Sequence, residues 1–201
     1  MPQFEAPLLA ATLAAALVVG GCQSVRRSAP EPAPPRVEPG PSGESSTREP
    51  RPRRSAPPQL WEIEARPFPT SLPIPVDGVR PEELSSSFDA PRSGGRRHHA
   101  IDIFAPRDTP VRSATDGYVT RRRVLGLGGK TLSIVGPGGS RHYYAHLEDW
   151  AEVEVGDYVA EGTIIGFVGN SGNARGGPTH LHYAIYRPWG DAIDPYPLLV
   201  D

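Results

Sequence analysis

From residue 84 onward the apolar residues recur in short runs. They are Ile101-Asp102-Ile103-Phe104, Val111-Arg112-Ser113-Ala114, Gly117-Tyr118-Val119-Thr120, Lys130 to Val135, His142 to His146, Thr163 to Val168 and His182 to Tyr186. Glycine, proline and aspartate clusters such as Ala105-Pro106-Arg107-Asp108, Gly126 to Gly129 and Gly136 to Gly139 separate them, the punctuation of strands joined by turns. No sustained helical period appears after residue 84. The pattern predicts an all-β fold, a compact antiparallel β-sandwich or barrel-like domain over residues 84–201. A domain of that size can bury a modest core without disulfides.

Upstream the pattern changes twice. Between Trp61 and Arg80 the apolar residues Trp61, Ile63, Phe68, Leu72, Ile74 and Val76 are interleaved with Pro67, Pro69, Pro73 and Pro75, which forbid a regular helix or a central strand. Residues 59–83 are expected as an extended segment packing on the domain. Residues 22–58, rich in proline and arginine, lack the apolar residues to offset chain entropy and read as a disordered tether. Before them, Leu8 to Val19 is an apolar run of signal-peptide length, too short for a confident membrane span. Val19-Gly20-Gly21-Cys22 resembles a bacterial lipobox. That resemblance implies a lipoprotein signal peptide over residues 1–21, cleavage before Cys22, and a lipid anchor on Cys22. Met1 to Pro7 departs from the usual signal, because it carries Glu5 and no cation. Gln23 fits sorting to an outer membrane, with the domain facing the periplasm.

The net charge of -2 gives no electrostatic case for a nucleic-acid partner. Cys22 is the only cysteine, so no internal disulfide framework exists. All six histidines lie between residues 98 and 182, on three separate segments. His98 and Asp102 are four apart, and His180 and His182 are two apart on one strand, hence on the same face. Imidazole and carboxylate are ligands of zinc, which in catalytic sites takes three from the protein and leaves a fourth position open. His98, Asp102 and one of the second pair would supply them. A fully extended chain would separate His98 and Asp102 by about 13 Å, so a bend is expected between His98 and Ala100, with Gly94-Gly95 upstream able to turn. His180 and His182, about 7 Å apart along the strand, can both reach one site. Their spacing does not say which binds the metal.

The order of these motifs resembles the LytM/lysostaphin-type zinc endopeptidases. The likeness runs through Arg97 to Pro106, Thr109-Pro110-Val111, Tyr143 to Leu147, Val155 to Gly162, Gly169-Asn170-Ser171-Gly172 and Thr179-His180-Leu181-His182-Tyr183. It implies a compact antiparallel β fold, with His98, Asp102 and His182 as zinc ligands and His146 and His180 as the catalytic pair. It also implies peptide bonds of bacterial peptidoglycan as substrate. Ala100 and Asp89 stand where such proteins usually have glycine. A non-catalytic module of the same type, binding peptidoglycan or activating another hydrolase, is the alternative. A carrier-domain reading of Val153 to Gly162 lacks a lysine at the hairpin tip, because the only lysine is Lys130. His99 is expected at the surface, and His142 either at the surface or lining the groove with His146.

Overall fold

The structure, a computed structural model, describes residues 56–201. The expected signal peptide, Cys22 and the tether as far as residue 55 lie outside the described residues. The strands are β1 (Ile101–Phe104), β2 (Pro110–Arg112), β3 (Gly117–Leu125), β4 (Gly129–Val135), β5 (Arg141–Trp150), β6 (Tyr158–Val159), β7 (Ile164–Val168), β8 (His180–Tyr186) and β9 (Ala192–Ile193). All pair antiparallel, so the all-β expectation holds. The seven apolar runs of the sequence became β1 to β5, β7 and β8. β6 and β9, two residues each, are too short to display a period.

The main path of the sheet runs β1-β8-β5-β4-β3-β6, with β2 and β9 attached through β7 and β8. Strand periodicity divides it into two faces. Ile101 and Ile103 of β1 and Leu181, Tyr183 and Ile185 of β8 are buried on the core face with Leu132, Ile134 and Tyr144. Asp102, His180 and His182, at the alternate positions, line a cleft on the other face. The register sets Asp102 directly opposite His182, and His182 opposite Ala145.

β5 is where the sheet forks. Its first half, Arg141 to Ala145, pairs with β8, whereas Leu147 to Trp150 pairs with β7. The change of partner falls at His146, whose φ of 62° is left-handed, and the β4 register slips there too, from Lys130 opposite Leu147 to Leu132 opposite Tyr144. This bulge inserts an extra residue, which breaks the alternation of the strand.

Two further departures from the sequence expectation have local causes. Residues 60–64 precede the first proline of their segment and wind into a helix, α1 (Leu60–Glu64), with the Glu62 carboxylate accepting the Gln59 amide at 2.6 Å. Beyond it, Leu72 and Val76 enter the core, Val76 bridges Val111, and Asp77 pairs with Arg112 at 2.5 Å, so residues 72–77 are built into the domain. A second helix, α2 (Tyr196–Val200), adds Leu199 to the same core. His142 corrects both readings given for it: it neither lines the groove nor faces solvent, because the bulge puts His146 out of phase with it and leaves His142 fully buried. Ser140 gives its own proton to Pro137 O at 2.8 Å, so its Oγ accepts His142 Nε2–H at 3.1 Å and His142 Nδ1 accepts the Tyr183 hydroxyl at 2.7 Å. This network holds a neutral imidazole.

Burial pushes His142 down from 6.5 to about 3. Its folded pKa therefore lies below its unfolded one, and between the two only the unfolded chain binds the proton. The resulting stability is complete above about pH 6.5 and is lost as the pH falls toward about 3, with a slope of up to about 1.4 kcal/mol per pH unit. Replacing His142 by Gln, which keeps hydrogen-bonding groups without titrating, should flatten this part of the curve. Urea unfolding of both proteins between pH 7 and pH 4 checks it.

Candidate active site

The site begins with a hairpin that returns the chain over β1. Arg92 N donates to Arg96 O and His98 N to Ala90 O, both at 2.9 Å, and Asp89 N donates to His98 O at 2.8 Å. Its tip, Ser93–Gly95, turns on Gly94 and Gly95, with φ of 73° and 71°, angles a side chain rarely adopts. The expected bend follows, and β1 begins only at Ile101. In consequence His98 is buried and its Nε2 lies 3.0 Å from Asp102 Oδ1 rather than a strand's length away.

His182 closes a triangle. Its Nδ1 is 3.0 Å from Asp102 Oδ1 and 3.1 Å from His98 Nε2. Three ligands of a tetrahedral zinc at bonds of about 2.0–2.1 Å stand about 3.3 Å apart, so the spacing suits the ion. The chemistry agrees. His98 Nδ1 donates to Ser87 O at 2.9 Å, which places the lone pair of the neutral ring on Nε2, toward the other two atoms. Electron-rich atoms facing one another at this distance repel unless a proton or a cation lies among them. These three residues form a group that could hold a metal. His180 is two residues away on the same face, yet its Nε2 stays 3.9 Å from Asp102 Oδ1, outside the triangle.

Burial alone would raise the Asp102 carboxyl, but its contacts with the imidazoles of His182 and then His98 outweigh it and hold the group far below the usual carboxylate range. Burial lowers His182, against the pull of Asp102. Oδ2 of Asp102 takes the Arg92 guanidinium, so both carboxylate oxygens are engaged.

The remaining imidazoles stand beside the triangle. His146 and His180 have ring centroids 5.0 Å apart, and His146 and His182 5.5 Å. His146 Nδ1 donates to Ser171 O at 2.8 Å and His180 Nδ1 to Pro178 O at 2.9 Å, so each neutral ring keeps its lone pair on Nε2. Burial, helped by neighbouring His182, lowers His146 to about 4 and leaves it uncharged at neutral pH. A left-handed non-glycine residue costs about 1–2 kcal/mol, and the bond from His146 N to Gly128 O at 2.9 Å helps hold it there.

The cleft has a volume of about 320 Å³, and Arg92, Arg96, Leu127, Tyr143, Asn173 and Tyr186 are among its walls. Sequence reasoning did not single out Arg92, Tyr143, Ser171 or Tyr186. Tyr143 lies between the motif residues His142 and Tyr144, and strand alternation could have placed it opposite them. No sequence spacing announced Arg92. Of residues 61–92, Arg92 alone reaches the cleft among the described residues. His99 is exposed, as expected, 3.7 Å from Asp89.

The wall beside His146 depends on two glycines. A Cβ on Gly172 would run into Gly129 N and Leu127 O, and one on Gly129 into Ser171 and Gly172. Gly172 also has φ of 71°, whereas Gly176, at 84°, has open space around its Cβ position. Gly172→Ala should therefore cost about 2–5 kcal/mol from overpacking plus backbone strain, and Gly176→Ala only about 1–2 kcal/mol from strain. Denaturant unfolding of the two variants measures the difference.

Residues 96–195, which carry every one of these histidines and Asp102, match peptidase family M23. The chain is 39% identical over 121 residues to the L-Ala-D-Glu endopeptidase of Bacillus subtilis, covering 55% of this chain but only 37% of that relative's length. Among solved structures, the catalytic domain of lysostaphin from Staphylococcus simulans superposes with a TM-score of 0.53 at 29% identity, over 59% of this chain and 92% of that one. LytU superposes at 0.50 with 32% identity, over 59% and 85% of the two chains. With the β architecture and the histidine-aspartate cluster in agreement, the chain belongs to peptidase family M23.

Proposed function

We propose that this protein is a zinc-dependent endopeptidase that cuts peptide bonds in bacterial peptidoglycan. The observation that carries the reading is the triangle of His98, Asp102 and His182 with two further imidazoles beside it. Zinc bound there supplies Lewis acidity, polarising the scissile carbonyl and acidifying a water. The work of the protein is then orientation and proton transfer. Ser87 O and the Arg92 guanidinium fix the two ligands His98 and Asp102 from behind. His146, kept neutral by burial and oriented by its bond to Ser171 O, holds Nε2 ready to accept a proton. His180, oriented by Pro178 O, presents the second nitrogen of the pair. Once protonated, either ring can donate to the developing oxyanion or to the leaving amine.

Ligand and proton-transfer residues should separate experimentally. His182→Ala should lose both bound zinc and release of muropeptides. His146→Ala should keep one zinc per chain while its kcat falls by about 10²–10⁴, the usual contribution of a general acid or base. Metal analysis alongside peptidoglycan digestion reads both, and loss of zinc from the His146 variant would contradict the assignment.

The lipobox-like Val19-Gly20-Gly21-Cys22 supports anchoring of this activity to an envelope membrane, in the outer membrane facing the periplasm. A single acyl chain holds only marginally, so the anchor on Cys22 would carry more than one. Cys22→Ser should move the protein from the membrane fraction to the soluble fraction, as immunoblotting of fractionated cells would show.

A further inference from the structure

We propose that Arg96 and Arg97 form an acceptor for a free carboxylate of the substrate, making this site selective for acidic stem peptides over neutral peptide bridges. The inference rests on the hydrolase reading above and names the substrate class of that site. Both arginines line the cleft, on the hairpin that delivers His98. Their partners are neutral: Arg96 donates to Ser93 O at 3.1 Å and to Ser93 Oγ at 3.3 Å, and Arg97 Nη1 donates to Asp89 O at 2.9 Å. Among the described residues no carboxylate lies within ion-pair distance of either.

The cleft offers them none. Among the described residues Asp102 is the only acid lining it, and that carboxylate is taken by the imidazoles on one oxygen and by Arg92 on the other. Two uncompensated guanidinium groups therefore stand beside a centre built for a cation. Their backbone anchors restrict the side chains in advance, which lowers the entropy lost on binding. A guanidinium fork matches a carboxylate with two parallel hydrogen bonds, which a carboxamide cannot reproduce. Stem peptides carry such carboxylates, at the α-position of a γ-linked glutamate and at the chain end, whereas a glycine bridge carries none along its length.

The test uses the whole chain loaded with zinc and a synthetic stem peptide, L-Ala-γ-D-Glu-L-Lys-D-Ala-D-Ala, against the same peptide with its carboxyls converted to carboxamides. Binding by calorimetry and cleavage by mass spectrometry are read in parallel, for the native protein, Arg96→Gln/Arg97→Gln and Arg96→Lys/Arg97→Lys. The acid should bind at least about tenfold more tightly than the amide, as charge-assisted hydrogen bonds imply. The glutamine pair should abolish that ratio without releasing zinc, and the lysine pair should recover it only in part. Equal treatment of acid and amide by a protein that cleaves both would overturn the inference and leave the hydrolase standing. A preference that survives in the glutamine pair would also overturn it. Selective binding without cleavage of either peptide or of whole peptidoglycan would sink the hydrolase reading and keep the carboxylate site. Neither binding nor cleavage would overturn both.

Discussion

At Ala145-His146, β5 must leave β8 and join β7 without interrupting its pairing to β4, and the cleft exists because of how it does so. Strict alternation from the buried His142 and Tyr144 would send His146 into the core beneath the sheet. The extra residue of the bulge resets the phase, so that Ala145 and His146 both line the cleft. The left-handed backbone this requires is unfavourable by itself. It persists because hydrogen bonds from His146 to the carbonyls of Gly128 and Ser171 determine the geometry from both sides, and those groups can approach only because residues 129 and 172 have no side chain.

The rest of the site follows from the two faces of the same sheet. On one, isoleucine, leucine and tyrosine side chains bury the strands against each other. On the other, the register that aligns those apolar residues sets Asp102 against His182. The hairpin over residues 89–98 then adds His98 from outside the sheet. A cluster of two imidazoles and a carboxylate is poorly stable alone, since its lone pairs converge. That is the property a cation site needs.

The two fully or largely buried histidines of β5 show how placement decides chemistry. His142 is satisfied on both nitrogens by neutral hydroxyl groups and is structural. His146 is satisfied on Nδ1 alone and keeps Nε2 for the cleft. They lie four residues apart on one strand, in comparable burial, and only the bulge between them separates a core residue from a candidate base.

By itself the sequence determined the seven longer strands, because a period of two and glycine-proline punctuation are local and are carried by side-chain type. It also marked the histidines and Asp102 as a set, through their chemistry and motif order, and required the bend after His98 on distance grounds. It could not place His142, because a single-residue slip in strand phase leaves no mark on the period it interrupts. Nor could it find Arg92, whose tie to Asp102 depends on a hairpin folding back ten residues. The tertiary structure alone decided which imidazoles converge, since His182 meets His98 across 84 residues of sequence. Contacts of that span are fixed by strand register and loop closure, properties of the assembled sheet that no local stretch of chain contains.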